Sequence, residues 1–498
     1  MTSLLQLPRP SACAVGLLVA ALAACAPAPP EAAVAPAPEV NRAVQPVPGP
    51  TPDVDLPDVQ RRTLSNGLDV WVVQRRDVPL VTLRMITNAG SAAEPAQRSG
   101  LASLTAAMLD EGTATRSALQ IADEVDFLGA SLGTGAGYDA AFATLSTLKR
   151  TLPAALEVYA DVITNPAFPE RELERVRRER ITSLIEALDR PSAVASEQAA
   201  LRIYGPQHPY GRPPEGTVAS LGGLRGDDLR QFYRSYYRPN NSTLLVVGDV
   251  SADEITPMLE QAFRGWQRAE VPAIRYPAPP APQAATRVYL IDKPDAAQSE
   301  IVIGHLGVAR KNPDYFPLLV LNTILGGQFS SRINMNLREE KGYTYGARTA
   351  FSMRRQPGPF LASAAVQTAT SKESVIEFMK ELEEIRGRRP VTREELESAK
   401  AGLVRREPLD VETQAQLASR LEAMVLYDLP EDYFDTYTEQ IEAVTLADVE
   451  RVAREHLHPE RFAVVIVGDR SRIEAGLREL PYPLEVVPLE RRVAPGTN

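Results

Sequence analysis

Residues 228–249, DLRQFYRSYYRPNNSTLLVVGD, and residues 448–469, DVERVAREHLHPERFAVVIVGD, decide the fold, because the second stretch repeats the plan of the first. Asp228 and Asp448, Pro239 and Pro459, and the pairs Gly248-Asp249 and Gly468-Asp469 all stand 220 positions apart. Each copy reads as a helix, a proline-containing turn, a buried β-branched strand and a second turn. One Gly-Asp pair can arise by chance, but a constant offset across three features indicates an internal duplication.

Working outward, a Pro-rich stretch at 271–285 divides the body into near-equal halves, 59–270 and 286–490. In the first half Val81, Leu83 and Met85 alternate with Thr82 and Arg84, as a strand with one buried face requires. A second alternating run, Ala140 to Leu148, precedes a helical stretch. The fold class expected is therefore α+β: two homologous α/β sandwich domains, each an antiparallel-rich sheet with helices. A length of 498 residues, 44% hydrophobic and 24% charged, suits a globular chain of two to four domains. The net charge of −10 argues against nucleic acid as a partner, which would call for a basic stripe.

Ahead of the body, Arg9 is followed by an apolar run from Ala12 to Ala24, too short to span a bilayer and suited to a signal peptide over 1–24. The small residues before Cys25 resemble a bacterial lipobox, which implies an acylated Cys25 as the first mature residue. The Pro/Ala-rich segment that follows, to residue 58, contains ten prolines and no hydrophobic period. Extended at about 3.1 Å per residue, it would hold the body on the order of 100 Å from a membrane anchor. Cys13 leaves with the signal peptide and Cys25 is acylated on this reading, so no thiol is left for an internal disulfide. These features point to a bacterial cell envelope lipoprotein facing the periplasm. Ala26 after Cys25 leans towards the outer membrane rather than the inner.

The segment 100–113, GLASLTAAMLDEGT, places Leu101, Leu104 and Met108 at helical spacing, with Gly112 as a natural C-terminal cap. Ser103, Ala106 and Ala107 then share one face at i, i+3 and i+4. Asp110 and Glu111 read as the exposed end of that helix. Further on, a helix over 171–188 carries Glu179 and Glu186 seven apart, and its mixed run RELERVRRER reads as a salt-bridged face.

Taken together with LSNGLDVWVV (64–73), HPYGRPPEGT (208–217), YRPNNSTLLVVGDV (237–250) and GGQFSSRINMNLREEKGYTYGA (326–347), the chain resembles the pitrilysin/insulinase-type zinc metallopeptidases over most of 60–480. In that family the segment at 103–107 reads H-x-x-E-H, two zinc-binding imidazoles and a glutamate that activates water. Ser103, Ala106 and Ala107 supply none of these, so no zinc is expected in this chain and independent hydrolysis is not expected. The resemblance matches Glu179 and Glu186 to the family's acidic pair, with Glu186 at the third zinc ligand; a lone carboxylate there reads as a solvated or salt-bridged remnant. It also matches Arg338 and Tyr345 to an arginine and tyrosine that contact substrate beside the metal. A guanidinium fork and a phenol can both donate to a peptide carbonyl and to its oxyanion.

Some bacterial members divide the work between two chains, one with the zinc motif and one with Arg/Tyr. The resemblance thus implies a duplicated half-clamshell that acts as the non-catalytic, substrate-binding subunit of a heterodimeric peptidase. It would bring Arg338 and Tyr345 to an unstructured peptide, while a homologous chain with intact H-x-x-E-H carries zinc and base. The alternative is an envelope scaffold that kept the fold for assembly and takes no part in proteolysis. Other signals are weak. GASLGTGAG (129–137) precedes a strand and lacks the strand-to-helix setting of a nucleotide loop, and His456 and His458 flank a helix end beside Pro459.

Overall fold

The structure, a computed structural model, describes residues 49, 58–278 and 280–489. Apart from residue 49 these belong to one compact unit spanning 51–498. The signal peptide (1–24), Cys25, nearly all of the tether and residue 490 lie outside the described residues.

Two six-stranded sheets form the frame. The first contains β1 (Gln60–Thr63), β2 (Asp69–Gln74), β3 (Leu80–Thr87), β4 (Ser131–Ala136), β5 (Ala141–Leu148) and β6 (Ser242–Gly248), in the spatial order β1-β2-β6-β3-β5-β4. The second contains β7 (Arg287–Asp292), β8 (Gln298–Leu306), β9 (Thr344–Phe351), β10 (Pro359–Gln367), β11 (Ala463–Gly468) and β12 (Leu484–Val487), in the order β12-β7-β11-β8-β10-β9. Five strands of each sheet follow the same plan, and the repeated Gly-Asp segments are its equivalent strands β6 and β11.

Both sheets are mixed. β6 and β11 return to the middle of their sheets, parallel to β2 and β7 on one side and antiparallel to β3 and β8 on the other. Such a strand is covered on both faces, which is why β6 and β11 read as continuous apolar runs without alternation. Gly248 ends β6 at φ +146°, where a Cβ would fall 2.2 Å from the Leu80 carbonyl oxygen of β3. Only glycine lets the strands cross that closely.

In the first half come α1 (Leu101–Ala107), α2 (Ala118–Phe127), α3 (Leu152–Thr164), α4 (Glu170–Ala187) and α5 (Pro191–Tyr204). One face of the first sheet packs on α3 and on the helix Ala252–Phe263, through Val70, Val72, Leu83, Met85, Leu244 and Val246. Tyr159 of α3 is sealed there, its hydroxyl donating to Ala143 O at 2.7 Å and accepting from Met85 N–H at 2.9 Å. The opposite face is covered from the other half. Leu417, Leu421 and Met424 of the helix Gln414–Tyr427 join one core with Trp71, Val73, Ile86, Leu245 and Val247.

The exchange is reciprocal. Val194, Ala195 and Ala199 of α5 pack on Tyr289, Ile291, Val302, Val465 and Val467 of the second sheet. The two exchanged helices begin at 191 and 414 and end at 204 and 427, an offset of 223 at both ends that matches the duplication within three residues. Each half therefore completes the core of the other. The Pro-rich connector is fastened as well, since Tyr276 OH donates to Asp139 at 2.8 Å beside Tyr210 OH at 2.7 Å. Among the described residues no helix is long and apolar enough to cross a membrane.

Candidate functional site

α1 is short and almost wholly buried, from Leu101 through Ala106. Gly100 enters it at φ +91°, and the free N–H groups of Gly100 and Ala102 both donate to the Glu94 carboxylate at 3.1 Å. Glu94 is only 6% exposed, and burial pushes its carboxyl up to about 8 against the pull of those bonds and of Arg212. The helix closes earlier than its sequence suggests. Met108 N–H returns to Leu104 O at 3.1 Å, so Gly112 is not its cap. Gly112 lies five positions beyond Ala107 at φ +130°, in the turn that accepts from Ala167 N–H at 2.9 Å. Asp110 and Glu111 are not a solvated helix end either. Asp110 is half-buried, with its pKa raised by desolvation, and Glu111 is bound by Arg175.

Ser103 and Ala106 are buried and Ala107 is half-buried, and Ser103 is met by α4. What meets Ser103 is a cation. Arg180 of α4 donates from Nη1 to Ser103 Oγ at 2.6 Å and from Nη2 to Ser103 O at 3.1 Å. A hydroxyl, two methyls and a guanidinium do not fit zinc, which takes imidazole, thiolate or carboxylate ligands and is repelled by a fixed positive charge. Glu179 and Glu186 lie one position before the residues that face this space. Glu179 is exposed and pairs with Arg175 at 3.0 Å, and that arginine also holds Glu172 and Glu111. Glu186 is exposed. Arg180, Ser183, Leu184 and Ala187 instead border a cavity of about 730 Å³ with Tyr138, Arg190, Arg212 and Glu215.

In the second half, Arg338 and Tyr345 flank the start of β9, the edge strand of its sheet. Arg338 sits in a wide, π-type turn over Met335–Glu340, a widening often found at functional sites. Its guanidinium lies 4.7 Å over the Phe329 ring and 3.1 Å from Glu339. Tyr345 is 89% exposed, at a bulge where the pairing of β9 with β10 shifts between Ala364 and Val366. Among the described residues its hydroxyl has no hydrogen-bond partner. Tyr345 is thus presented to solvent and Arg338 partly so, in the other half of the chain from Ser103.

The histidines are structurally occupied. His208 accepts from Tyr210 N–H at 3.1 Å and stacks on Tyr204, and His305 stacks on Phe462. Asp314, Glu455 and His456 have ligand atoms within 4.8 Å of one another, but Arg451 already bonds both carboxylates at 2.7 and 2.8 Å. That position is filled by a guanidinium rather than open to a metal. The functional features missed from sequence are Glu94 and Arg180. Nothing in a lone Glu before a helix signals burial, and Arg180 hides within a run whose neighbours are salt-bridged.

Known proteins match this arrangement. The model for the insulinase family, peptidase family M16, fits residues 70–207, and that for the peptidase M16 inactive domain fits 224–403. An uncharacterized zinc protease of Streptomyces coelicolor is 27% identical over 405 residues, 80% of this chain and 87% of that one. Another from Bacillus subtilis is 25% identical over 414 residues, covering 82% and 98%. Among solved structures, the peptidase M16 inactive domain from Pseudomonas fluorescens superposes with a TM-score of 0.77 at 28% identity, over 83% of this chain and 98% of that one.

Proposed function

Because the chain belongs to the insulinase family, peptidase M16, we propose that it is the non-hydrolytic, substrate-binding member of a two-chain zinc oligopeptidase. The observation that carries this reading is the contrast between its two halves. Ser103 is bonded by an arginine and Ala106 and Ala107 offer no metal ligands, whereas the half-buried Arg338 and the exposed Tyr345 stand at a sheet edge with donors to spare.

In this reading a homologous chain with an intact H-x-x-E-H motif would hold the zinc and supply the activation of water. An unstructured peptide adds as a strand along an exposed edge, using main-chain hydrogen bonds that tolerate many sequences. Arg338 and Tyr345 then donate to the scissile carbonyl oxygen, and hold it more strongly as it gains negative charge. Acylation at Cys25 would keep the assembly on the periplasmic side of the envelope, at the outer membrane.

The test is reconstitution. The chain alone and an H-x-x-E-H homologue alone are assayed on an unstructured peptide, then mixed. Activity should require both chains. Arg338→Ala or Tyr345→Phe should lower kcat about 10²-fold, the scale of one lost oxyanion donor, with bound zinc unchanged. Chelator-sensitive hydrolysis by this chain alone would refute the reading. Full activity of both variants would favour the scaffold role instead.

A further inference from the structure

The cavity beside Ser103 is lined by three guanidiniums, Arg180, Arg190 and Arg212, against two carboxylates, Glu197 and Glu215. Arg180 spends two donors on Ser103. Arg212 gives one donor to Gln207 O at 3.0 Å, and its Nε is buried with no partner. Glu215 acts on Arg180, and Glu94 on Arg212, through space rather than by a hydrogen-bonded ion pair. Burial keeps Glu94 protonated near neutral pH, so it leaves the charge of Arg212 largely uncompensated.

The cavity is also continuous with an open strand edge. Gly135 and Ala136, the last residues of β4, contribute to its wall, and β4 is the unpaired edge of the first sheet. A volume of about 730 Å³ is in the range of sites that enclose small ligands. We propose that the space beside Ser103, where the family's metal motif has been replaced, is a carboxylate-binding subsite of this chain. In it Arg180, Arg190 and Arg212 receive the carboxylate of a peptide lying along β4. A strand added parallel to β4 brings its C-terminal carboxylate to the cavity, whereas an antiparallel strand brings an acidic side chain near its N-terminus. A single negative charge matches the wall's excess of one positive charge.

The experiment uses the full chain without any partner, so its outcome is independent of the two-chain activity proposed above. Ten-residue Ala/Ser/Gln peptides carrying a neutral dansyl group at a central side chain are titrated by fluorescence anisotropy. Three are compared: a free acid, the corresponding amide, and an amide with one Glu near its N-terminus. At least one carboxylate-bearing peptide should bind tenfold or more tightly than the neutral amide, as expected for charge-assisted bonds to arginine. A free-acid preference identifies the C-terminus as the source, and a Glu preference identifies the side chain. Arg180→Gln and Arg212→Gln should each reduce the advantage at least threefold. Arg190→Gln, at the exposed rim and away from Ser103, should do the same and guards against a folding defect in the other two. A carboxylate advantage below tenfold in the native chain overturns the assignment, as does one reduced less than threefold in every variant that keeps the native melting profile.

Discussion

Restoring the family's ligands to α1 tests whether Arg180 alone excludes a metal. The perturbation is Ser103→His, Ala106→Glu and Ala107→His in one chain. Arg180 lies 2.6 Å from Ser103 Oγ, and zinc sits about 2.0–2.1 Å from an imidazole nitrogen, so the ion would stand on the order of 5 Å from the guanidinium. At an effective dielectric constant of about 20, a +1/+2 pair at that distance is repelled by roughly 7 kcal/mol, or about five powers of ten in Kd. The triple variant should therefore hold less than about 0.1 zinc per chain after dialysis against micromolar zinc. Adding Arg180→Glu replaces the repelling cation with a carboxylate on the side of α4 that faces Ser103, giving a His₂Glu set. That quadruple variant should hold about one zinc. Metal content is read by elemental analysis, with circular dichroism melts showing that both variants are folded. Stoichiometric zinc in the triple variant, with Arg180 intact, would refute the argument.

Other outcomes follow from the packing and the buried charge. Glu94 has its folded pKa raised to about 8 from 4.5, so the folded state keeps a proton that the unfolded state releases between those values. The Glu94 contribution to stability should be full below pH 4.5 and be lost as pH rises towards 8, and Glu94→Gln should remove about 3–5 kcal/mol of that dependence in urea titrations at pH 5 and 8. Leu421→Ala, in the helix shared by both cores, should cost about 2–4 kcal/mol while leaving one cooperative transition, visible as a single calorimetric peak. Residues 59–270 expressed alone should lack a cooperative melt and bind a hydrophobic dye, because Trp71, Val73 and Leu245 lose their cover; a sharp melt would show that the halves are independent.

Much of the architecture is legible in the sequence because it rests on local rules. The 220-residue offset locates β6 and β11. Alternation at Val81, Leu83 and Met85 marks one buried face of β3, but Thr82 and Ile86 are buried on the other face too, because a helix from the second half covers it. The mixed character of the sheets is not legible, since a continuous apolar run such as Leu244–Val247 does not say which neighbours it will have. Nor is the exchange of helices. Leu417, Leu421 and Met424 have the spacing of any amphipathic helix, and nothing in that spacing says the sheet they cover lies in the other half. At the site, the absence of metal ligands is plain from Ser103, Ala106 and Ala107, and Arg338 and Tyr345 stand out by motif. Arg180 does not. In RELERVRRER, Arg175 and Arg177 make the helical ion pairs expected of such a run, and only the packing of α4 on α1 turns Arg180 inward.

The exchanged helices also impose a schedule on synthesis. When β6 is complete at Gly248, one face of the first sheet is still bare, and the helix that covers it is not finished until Tyr427. At about 5–20 residues per second, the apolar face of Trp71, Val73 and Leu245 waits on the order of 10–40 s for its partner. During that interval the nascent chain displays the kind of surface that aggregates or recruits a holdase. The duplication thus gives the mature protein one shared core and its growing chain a long exposed adolescence.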